Sequence, residues 1–323
     1  MNTMLENKKT RIAIAGIGGI GGYLGGKLAH YYENFENVDI VFIARGESLD
    51  AIKANGLTLM SKDITYQCKP TLVSDNPDAI GPIDIFLLCT KTFAVAATLK
   101  RYAQCITAST TVITTQNTIN GRAVIEPCLP DRATLMEGCI YIASNKVGPG
   151  KINHISGPAK LFFGTDRQVN AKGQDIAKIF NYAGIDTTYS ADIGTALWKK
   201  FMFVSPAAIV TALFRITFTE ILESREAEYL YIDLIGELMQ LAKAKGVFVD
   251  EATVLNNIGL LGKFSGYVKS SFQLDLEKNA PSEIGALVEE VIAEAQSLNL
   301  STPCYDQALN DLQAKISTLE KPA

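Results

Sequence analysis

Arg11-Ile12-Ala13-Ile14-Ala15-Gly16-Ile17-Gly18-Gly19-Ile20-Gly21 is the stretch on which the fold turns. A short apolar run of strand character leads directly into a Gly-x-Gly-x-x-Gly turn, and a helix-compatible segment over 21–32 follows it. A second apolar run over 38–44 completes a strand–helix–strand unit. Such a turn aims helix N-terminal amides, and the positive end of the helix dipole, at a bound anion. Gly16 permits the tight turn, Gly18 lets the backbone approach a phosphate, and Gly21 lets helix and strand pack closely. The glycine spacing alone is common. Its place between a strand and a helix makes Gly16, Ile17, Gly18, Gly19, Ile20 and Gly21 a candidate cradle for a dinucleotide pyrophosphate.

Outward from this unit the alternation continues, with an apolar strand at 83–88, a helix at 94–105 and a strand at 111–114, which predicts an α/β domain built on a parallel, doubly wound sheet. Further β-like pieces lie at 135–143, 150–156, 160–164 and 187–190, with a helix over 171–182. From residue 191 the pattern changes to long helical periodicities at 196–213, 219–245, 251–261, 283–298 and 302–318. Two domains are expected: a Rossmann-type dinucleotide-binding domain over 1–190 and an all-helical substrate and catalytic domain over 191–323. Thr217-Phe218-Thr219-Glu220 has the form of a capped helix start, and Gly246 after Lys243-Ala244-Lys245 has the form of a helix C-cap.

Composition narrows the function. A chain of 323 residues that is 47% hydrophobic and 20% charged can bury a sizeable core, and a net charge of −4 lacks the cationic footprint of a nucleic-acid binder. The apolar run behind the polar N-terminus is too short for a signal or a membrane span, so a soluble, cytoplasmic protein is expected. Six scattered cysteines without a C-x-x-C pair suit a reducing compartment. With only His30 and His154, histidine-based catalysis and metal binding have little raw material, and no metal is expected. The apolar helices of the second domain are compatible with a homodimer.

The second strand ends Val41-Phe42-Ile43-Ala44-Arg45-Gly46, with no carboxylate at its tip to hold a ribose 2′-hydroxyl. Arg45 can instead pair with a 2′-phosphate, which favours NADP(H) over NAD(H). Lys91 and Gln116-Asn117 each follow a strand at the sheet edge where open α/β sheets hold ligands. Topology places Asn117 between nicotinamide and substrate and turns Lys91 to the cofactor, although each reads singly as a polar turn residue as well. Ser144, directly after the piece at 135–143, joins the cofactor set.

Several further segments resemble the ketopantoate reductase (2-dehydropantoate 2-reductase) family over nearly the whole chain. They are Gly150-Lys151-Ile152-Asn153-His154, Leu197-Trp198-Lys199-Lys200-Phe201, Thr211-Ala212-Leu213, Ser270-Ser271-Phe272-Gln273-Leu274-Asp275 and Ser282-Glu283-Ile284, in order after the glycine turn, Lys91 and Gln116-Asn117. The resemblance implies a Rossmann domain followed by a helical one, with the active site in the cleft between. It implies that Lys200, not its neighbour Lys199, is the catalytic proton donor, and that Glu283 is the companion catalytic carboxylate, which orients that ammonium and holds a ribose hydroxyl of the cofactor. Ser271 is then the substrate-carboxylate serine, with Asn117 and Lys200 completing the substrate set. The implied reaction is NADPH-dependent reduction of 2-dehydropantoate to pantoate, in pantothenate and coenzyme A biosynthesis.

The match fails at places that touch substrate. The family's two helix asparagines, four and eight residues past the lysine, are Val204 and Ala208 here, and Pro206 between them is expected to disturb the helix. Thr118-Ile119-Asn120 replaces Gly-x-Gly, and Gly285 replaces an aspartate. Two alternatives follow from these changes: a reductase of a different, less polar 2-keto acid, and a non-catalytic NADP(H)-binding sensor. A β-hydroxyacid or hydroxyacyl-CoA dehydrogenase is disfavoured, because neither histidine lies at a strand tip with partners.

Overall fold

A computed structural model describes residues 9–165, 169–264 and 266–319. Residue contacts divide the chain into two units, one of Met1–Gln116 with Gly121–Ile193 and one of Asn117–Asn120 with Gly194–Ala323. The second unit thus reaches back along the chain to take four residues that follow a strand of the first.

The first unit is α/β. Its strands are β1 (Thr10–Ala15), β2 (Val38–Ile43), β3 (Leu57–Ser61), β4 (Ile64–Cys68), β5 (Leu72–Ser74), β6 (Ile83–Leu88), β7 (Ile106–Thr114), β8 (Thr134–Gly148), β9 (Lys151–Gly164) and β10 (Thr187–Ser190). The sheet order is β4-β3-β9-β8-β7-β6-β1-β2-β5, with β10 on β9. Within it, β5-β2-β1-β6-β7-β8 are parallel neighbours. Numbered by order of parallel strands, that is the 3-2-1-4-5-6 winding of dinucleotide-binding sheets, with the reversal between β1 and β6. β1, β2 and β6 are buried almost throughout, as strands covered on both faces require, which is why they read as continuous apolar runs.

The sheet is mixed, not wholly parallel as expected. The pieces at 150–156 and 160–164 are one strand, β9, running antiparallel to β8, and positive φ at Gly157 and Ala159 marks the irregular stretch that splits them in sequence. β3 and β4 form an antiparallel hairpin. The helix expected over 94–105 is shorter, Val95–Arg101, with 3-10 turns at Thr92–Ala94 and Ala103–Cys105.

The second unit is helical. Its first helix, Ile193–Phe214, runs through Pro206 without a break, contrary to the expected disturbance. It is long and apolar enough to cross a membrane, but 72% of its most apolar window is buried, as in a core helix. The helix expected over 219–245 is a 3-10 turn, Thr219–Glu223, and then Arg225–Ala244. Ser224 is the break, and its hydroxyl accepts from the Ala227 amide as an N-cap. Glu220 accepts from the Thr217 amide and hydroxyl at 2.6 and 2.9 Å. Gly246, at φ +73°, closes the other end: its amide bonds Lys243 O and the next amide bonds Ala242 O, the pair of bonds of a Schellman motif. The segment expected as one helix over 283–298 begins past Glu283 with a π-helical turn, Gly285–Glu289, and continues as Glu290–Ser297.

Candidate active site

The strand ends of the first unit lie in register. Ala15 pairs with Ile43 and with Leu88, and Leu88 pairs with Thr114. Gly16, Ala44-Arg45, Cys89-Thr90-Lys91 and Thr115-Gln116 therefore leave the sheet along a single carboxyl edge, at the point where the winding reverses.

At this edge Gly16 has φ +91°, and a Cβ there would lie 2.7 Å from the Thr90 amide, so the turn admits no side chain. A Cβ on Gly21 would lie 2.1 Å from Gly16 O, which fixes how closely the helix Gly19–Tyr32 meets β1. Gly19 abuts β8: its carbonyl accepts from the Ser144 hydroxyl at 3.0 Å, and a Cβ on it would strike Ser144 O. Ser144 thus braces the turn from behind. Gly18 differs from its neighbours, because among the described residues nothing lies within 4 Å of where its Cβ would be. The helix it caps has no side-chain cap and no acidic residue in its first turn. A backbone open at Gly18, with uncapped amides behind it, suits an anionic ligand. Ile17 is buried and Ile20 packs partly buried against the core, so both anchor the turn.

Gln116 is buried and its Nε2 donates to Leu88 O at 2.7 Å and to Thr90 O at 3.0 Å. This fixes the residue before Asn117 to the segment that leads to Lys91. Gln116 Oε1 and Thr90 Oγ1 are buried at the same edge without a hydrogen-bond partner among the described residues, as groups that a polar ligand completes would be. Lys91 is half-buried and precedes the 3-10 turn Thr92–Ala94 as its N-cap. Arg45 is exposed, at the N-cap of the helix Gly46–Asn55.

Histidine is occupied structurally. His154 is buried in β9, with Nδ1 2.8 Å from the Ser61 hydroxyl and Nε2 3.1 Å from Ser156 O, and burial pushes its pKa down. His30 is exposed, with Nδ1 3.2 Å from Gln67 O. The segment from Gly150 to His154 serves packing, since Ile152 fills the space that a Cβ on Gly22 would need.

In the second unit the two adjacent lysines part company: Lys199 is exposed and Lys200 is 8% exposed. A lysine is rarely so buried without a task, because desolvating an ammonium is costly. Two hydrogen bonds tie the Lys200 helix to the other candidate segments. Ser205 donates to Leu287 O at 2.7 Å, inside the π-helical turn that follows Glu283, and its Oγ lies 2.8 Å from the Tyr305 hydroxyl. Thr211 lies 2.8 Å from the hydroxyl of Ser270, next to Ser271. Glu283 is buried at 7% exposure, whereas Ser271 is exposed at the first position of the helix Ser271–Glu277, behind its N-cap Ser270. π-Helical turns are frequent at functional sites, where they shift the register of a helix.

The departures at 118–120 have a structural role that the sequence did not disclose. Thr118 donates to Glu290 at 2.6 Å and Asn120 to Glu294 at 2.9 Å, and Glu294 also pairs with Lys245. Burial raises the Glu290 carboxyl pKa despite the bond from Thr118. These contacts bind Asn117–Asn120 into the second unit and set the loop that carries Asn117. Val204 and Ala208 stand one and two turns beyond Lys200, with Val204 half-buried amid buried neighbours. Both of these side chains are apolar where the family carries asparagine.

Comparison with known proteins agrees with this geometry. The family model for Ketopantoate reductase PanE/ApbA matches residues 12–168, and that for its C-terminal domain matches residues 192–315. The chain is 24% identical over 306 residues to the uncharacterized oxidoreductase YkpB of Bacillus subtilis, covering 94% of this chain and 98% of that protein. It is 25% identical over 295 residues to a 2-dehydropantoate 2-reductase of Halobacterium salinarum, covering 91% and 94%. Among solved structures, a PanE/ApbA family ketopantoate reductase from Ralstonia eutropha superposes at a TM-score of 0.86, with 23% identity and 97% and 100% coverage. D-mandelate dehydrogenase in ternary complex with NADH and anilino(oxo)acetate shares the fold at a TM-score of 0.85 and 18% identity, with 97% and 100% coverage. With both of its units matched, the chain belongs to the ketopantoate reductase family, an oxidoreductase acting on a CH–OH group.

Proposed function

We propose that the protein is an NADPH-dependent 2-keto acid reductase whose substrate is 2-dehydropantoate, acting in the cytoplasm in pantothenate and coenzyme A biosynthesis. The observation that carries the reading is a buried Lys200 on a helix bonded through Ser205 and Thr211 to the segments of Glu283 and Ser271. In this reading residues 1–190 bind the cofactor and 191–323 bind substrate.

The residues at the sheet edge fit a dinucleotide, since Gly18 opens onto free space and Gln116 Oε1 and Thr90 Oγ1 await partners. The turn from Gly16 to Gly21 would hold the pyrophosphate, Arg45 the 2′-phosphate, and Lys91 and Asn117 the nicotinamide half. The reduced nicotinamide, when bound, supplies a hydride to the C2 carbonyl carbon. Lys200 donates its proton to the oxygen that becomes the alcohol, and general acid help of this kind is worth about 10² to 10⁴ in rate. Glu283 orients the ammonium, while Ser271 and Asn117 position the keto acid by hydrogen bonds. Solvent then returns the proton to Lys200.

A second reading, reduction of a less polar 2-keto acid, is favoured by one observation: the face beyond Lys200 presents Val204 and Ala208. A pocket built without hydrogen-bond partners rejects an added hydroxyl only weakly, so ketopantoate still enters it. Purified protein, mixed with NADPH or NADH and a panel of 2-keto acids that includes ketopantoate, a branched aliphatic and a phenyl-bearing compound, separates the readings by loss of reduced-nicotinamide absorbance. Oxidation fastest with ketopantoate supports the first reading, and fastest with an apolar keto acid supports the second. No oxidation with any of them, with the cofactor still bound, identifies a sensor.

A further inference from the structure

Selectivity for a 2′-phosphate is not explained by Arg45 alone. The first turn of the helix Gly46–Asn55, which Arg45 caps, carries Glu47, also exposed. Arg45 and Glu47 together bring no net charge, whereas a 2′-phosphate brings about −1.5 to −2 near neutral pH, by analogy with other phosphate monoesters. A second cation must come from elsewhere.

β8 supplies one. Ser144 and Lys146 are alternate residues of this strand and share a face. Ser144 meets the glycine turn at Gly19 O, and Lys146 donates to the Ser48 hydroxyl at 2.8 Å. Ser48 is buried in the first turn behind Arg45. One strand face therefore runs from the turn that takes the pyrophosphate to the turn that takes the far ribose, and it ends on an ammonium. The Lys146 ammonium is held by Ser48, which reduces the side-chain freedom lost on binding. Gly46, at φ +53°, opens the same helix turn, and among the described residues nothing lies within 4 Å of its Cβ position.

We propose that Lys146, held by Ser48, is the second cation of the 2′-phosphate site and gives the protein its preference for NADPH. This rests on the reading that Arg45 faces a 2′-phosphate. The test measures dissociation constants of NADPH and NADH, by nucleotide fluorescence at low and moderate salt, for the wild type, Lys146→Met and Lys146→Arg. The wild type binds NADPH more tightly than NADH. Lys146→Met weakens NADPH by roughly ten- to a hundredfold, the loss expected for one charge-assisted hydrogen bond, and flattens its salt dependence. NADH affinity stays at the wild-type value and Lys146→Arg recovers most of the NADPH affinity. A wild type that binds both nucleotides equally overturns the NADPH reading, and this inference with it. A wild type that prefers NADPH, with Lys146→Met changing neither affinity or both equally, overturns the role of Lys146 and leaves that of Arg45 standing. Lys146 is exposed on its strand, so the methionine variant retains the fold, which an unchanged Tm verifies.

Discussion

A methyl group added at Gly18 and one added at Gly21 have opposite consequences for the free protein. At Gly21 the new Cβ lies 2.1 Å from Gly16 O and 2.9 Å from Cys89 Cβ, and two of the three closest atoms are backbone of the turn itself. Relief requires the turn and the helix to part by about 1 Å, and overpacking of this kind costs about 1–3 kcal/mol. The gain in helix propensity from Gly to Ala, about 1 kcal/mol, offsets part of it. The net loss of up to about 2 kcal/mol lowers Tm by up to about 4–8 °C in a domain of this size. At Gly18 the new Cβ meets nothing within 4 Å, and φ −94°, ψ −158° is open to alanine, so stability stays within about 0.5 kcal/mol of wild type. That same space is where the pyrophosphate would approach. Losing one charge-assisted bond to it weakens NADPH by roughly ten- to a hundredfold. The assay pairs a thermal melt of the free protein with titration of NADPH for each variant. Gly18→Ala that binds NADPH like the wild type, or that melts as early as Gly21→Ala, refutes the assignment of the turn.

Other outcomes follow from single contacts. Asp39 is buried in β2 and paired with Lys9 and Arg11, each at 2.9 Å. Burial alone would raise its pKa, but these two partners together hold it below the usual value. Its stabilisation is therefore complete above the unfolded carboxyl pKa of about 3.9 and disappears as pH falls through the lower folded value. Asp39→Asn melts several degrees early at pH 7 and like the wild type at strongly acid pH, in melts across a pH series; a deficit constant with pH contradicts this. Thr118→Val frees the loop of Asn117 from Glu290, so KM for the keto acid rises by about tenfold while NADPH affinity falls by less and Tm by a few degrees at most, and Thr118→Ser recovers all three. Equal losses in KM, nucleotide affinity and Tm mean that the contact serves folding only. Val204→Asn places an amide one turn beyond Lys200; steady-state kinetics show kcat/KM moving toward hydroxylated keto acids and away from phenyl-bearing ones by about tenfold. No change in that ratio places Val204 outside the pocket.

The parts legible in the sequence were those governed by local pattern. β1, β2 and β6 are buried on both faces and announce themselves as apolar runs, and the glycine turn shows because a positive φ at Gly16 excludes most residues. The hairpin β3–β4 did not show, although Ile64-Thr65-Tyr66-Gln67-Cys68 alternates apolar with polar, because each strand is only five residues long and β4 is largely exposed. β9 read as two pieces because Gly157 interrupts it, and antiparallel pairing with β8 depends on residues far apart in sequence. The same distance hid the tie from Thr118 and Asn120 to Glu290 and Glu294, 172 and 174 positions on. The Lys199-Lys200 pair could not be resolved by periodicity, since the helix is apolar on nearly every side, and only burial distinguishes the two. The sequence carries no sign of the contact that gives Ser144 its place, a hydrogen bond to Gly19 O across 125 positions.

The most direct test of the account is the rate of NADPH oxidation with ketopantoate for wild type and Lys200→Ala, each at saturating cofactor. The account predicts keto acid-dependent oxidation by the wild type, a fall of about 10² to 10⁴ in kcat for Lys200→Ala, and an NADPH dissociation constant unchanged between them. Full activity in Lys200→Ala, or a wild type that binds NADPH yet oxidises it with no 2-keto acid, contradicts it.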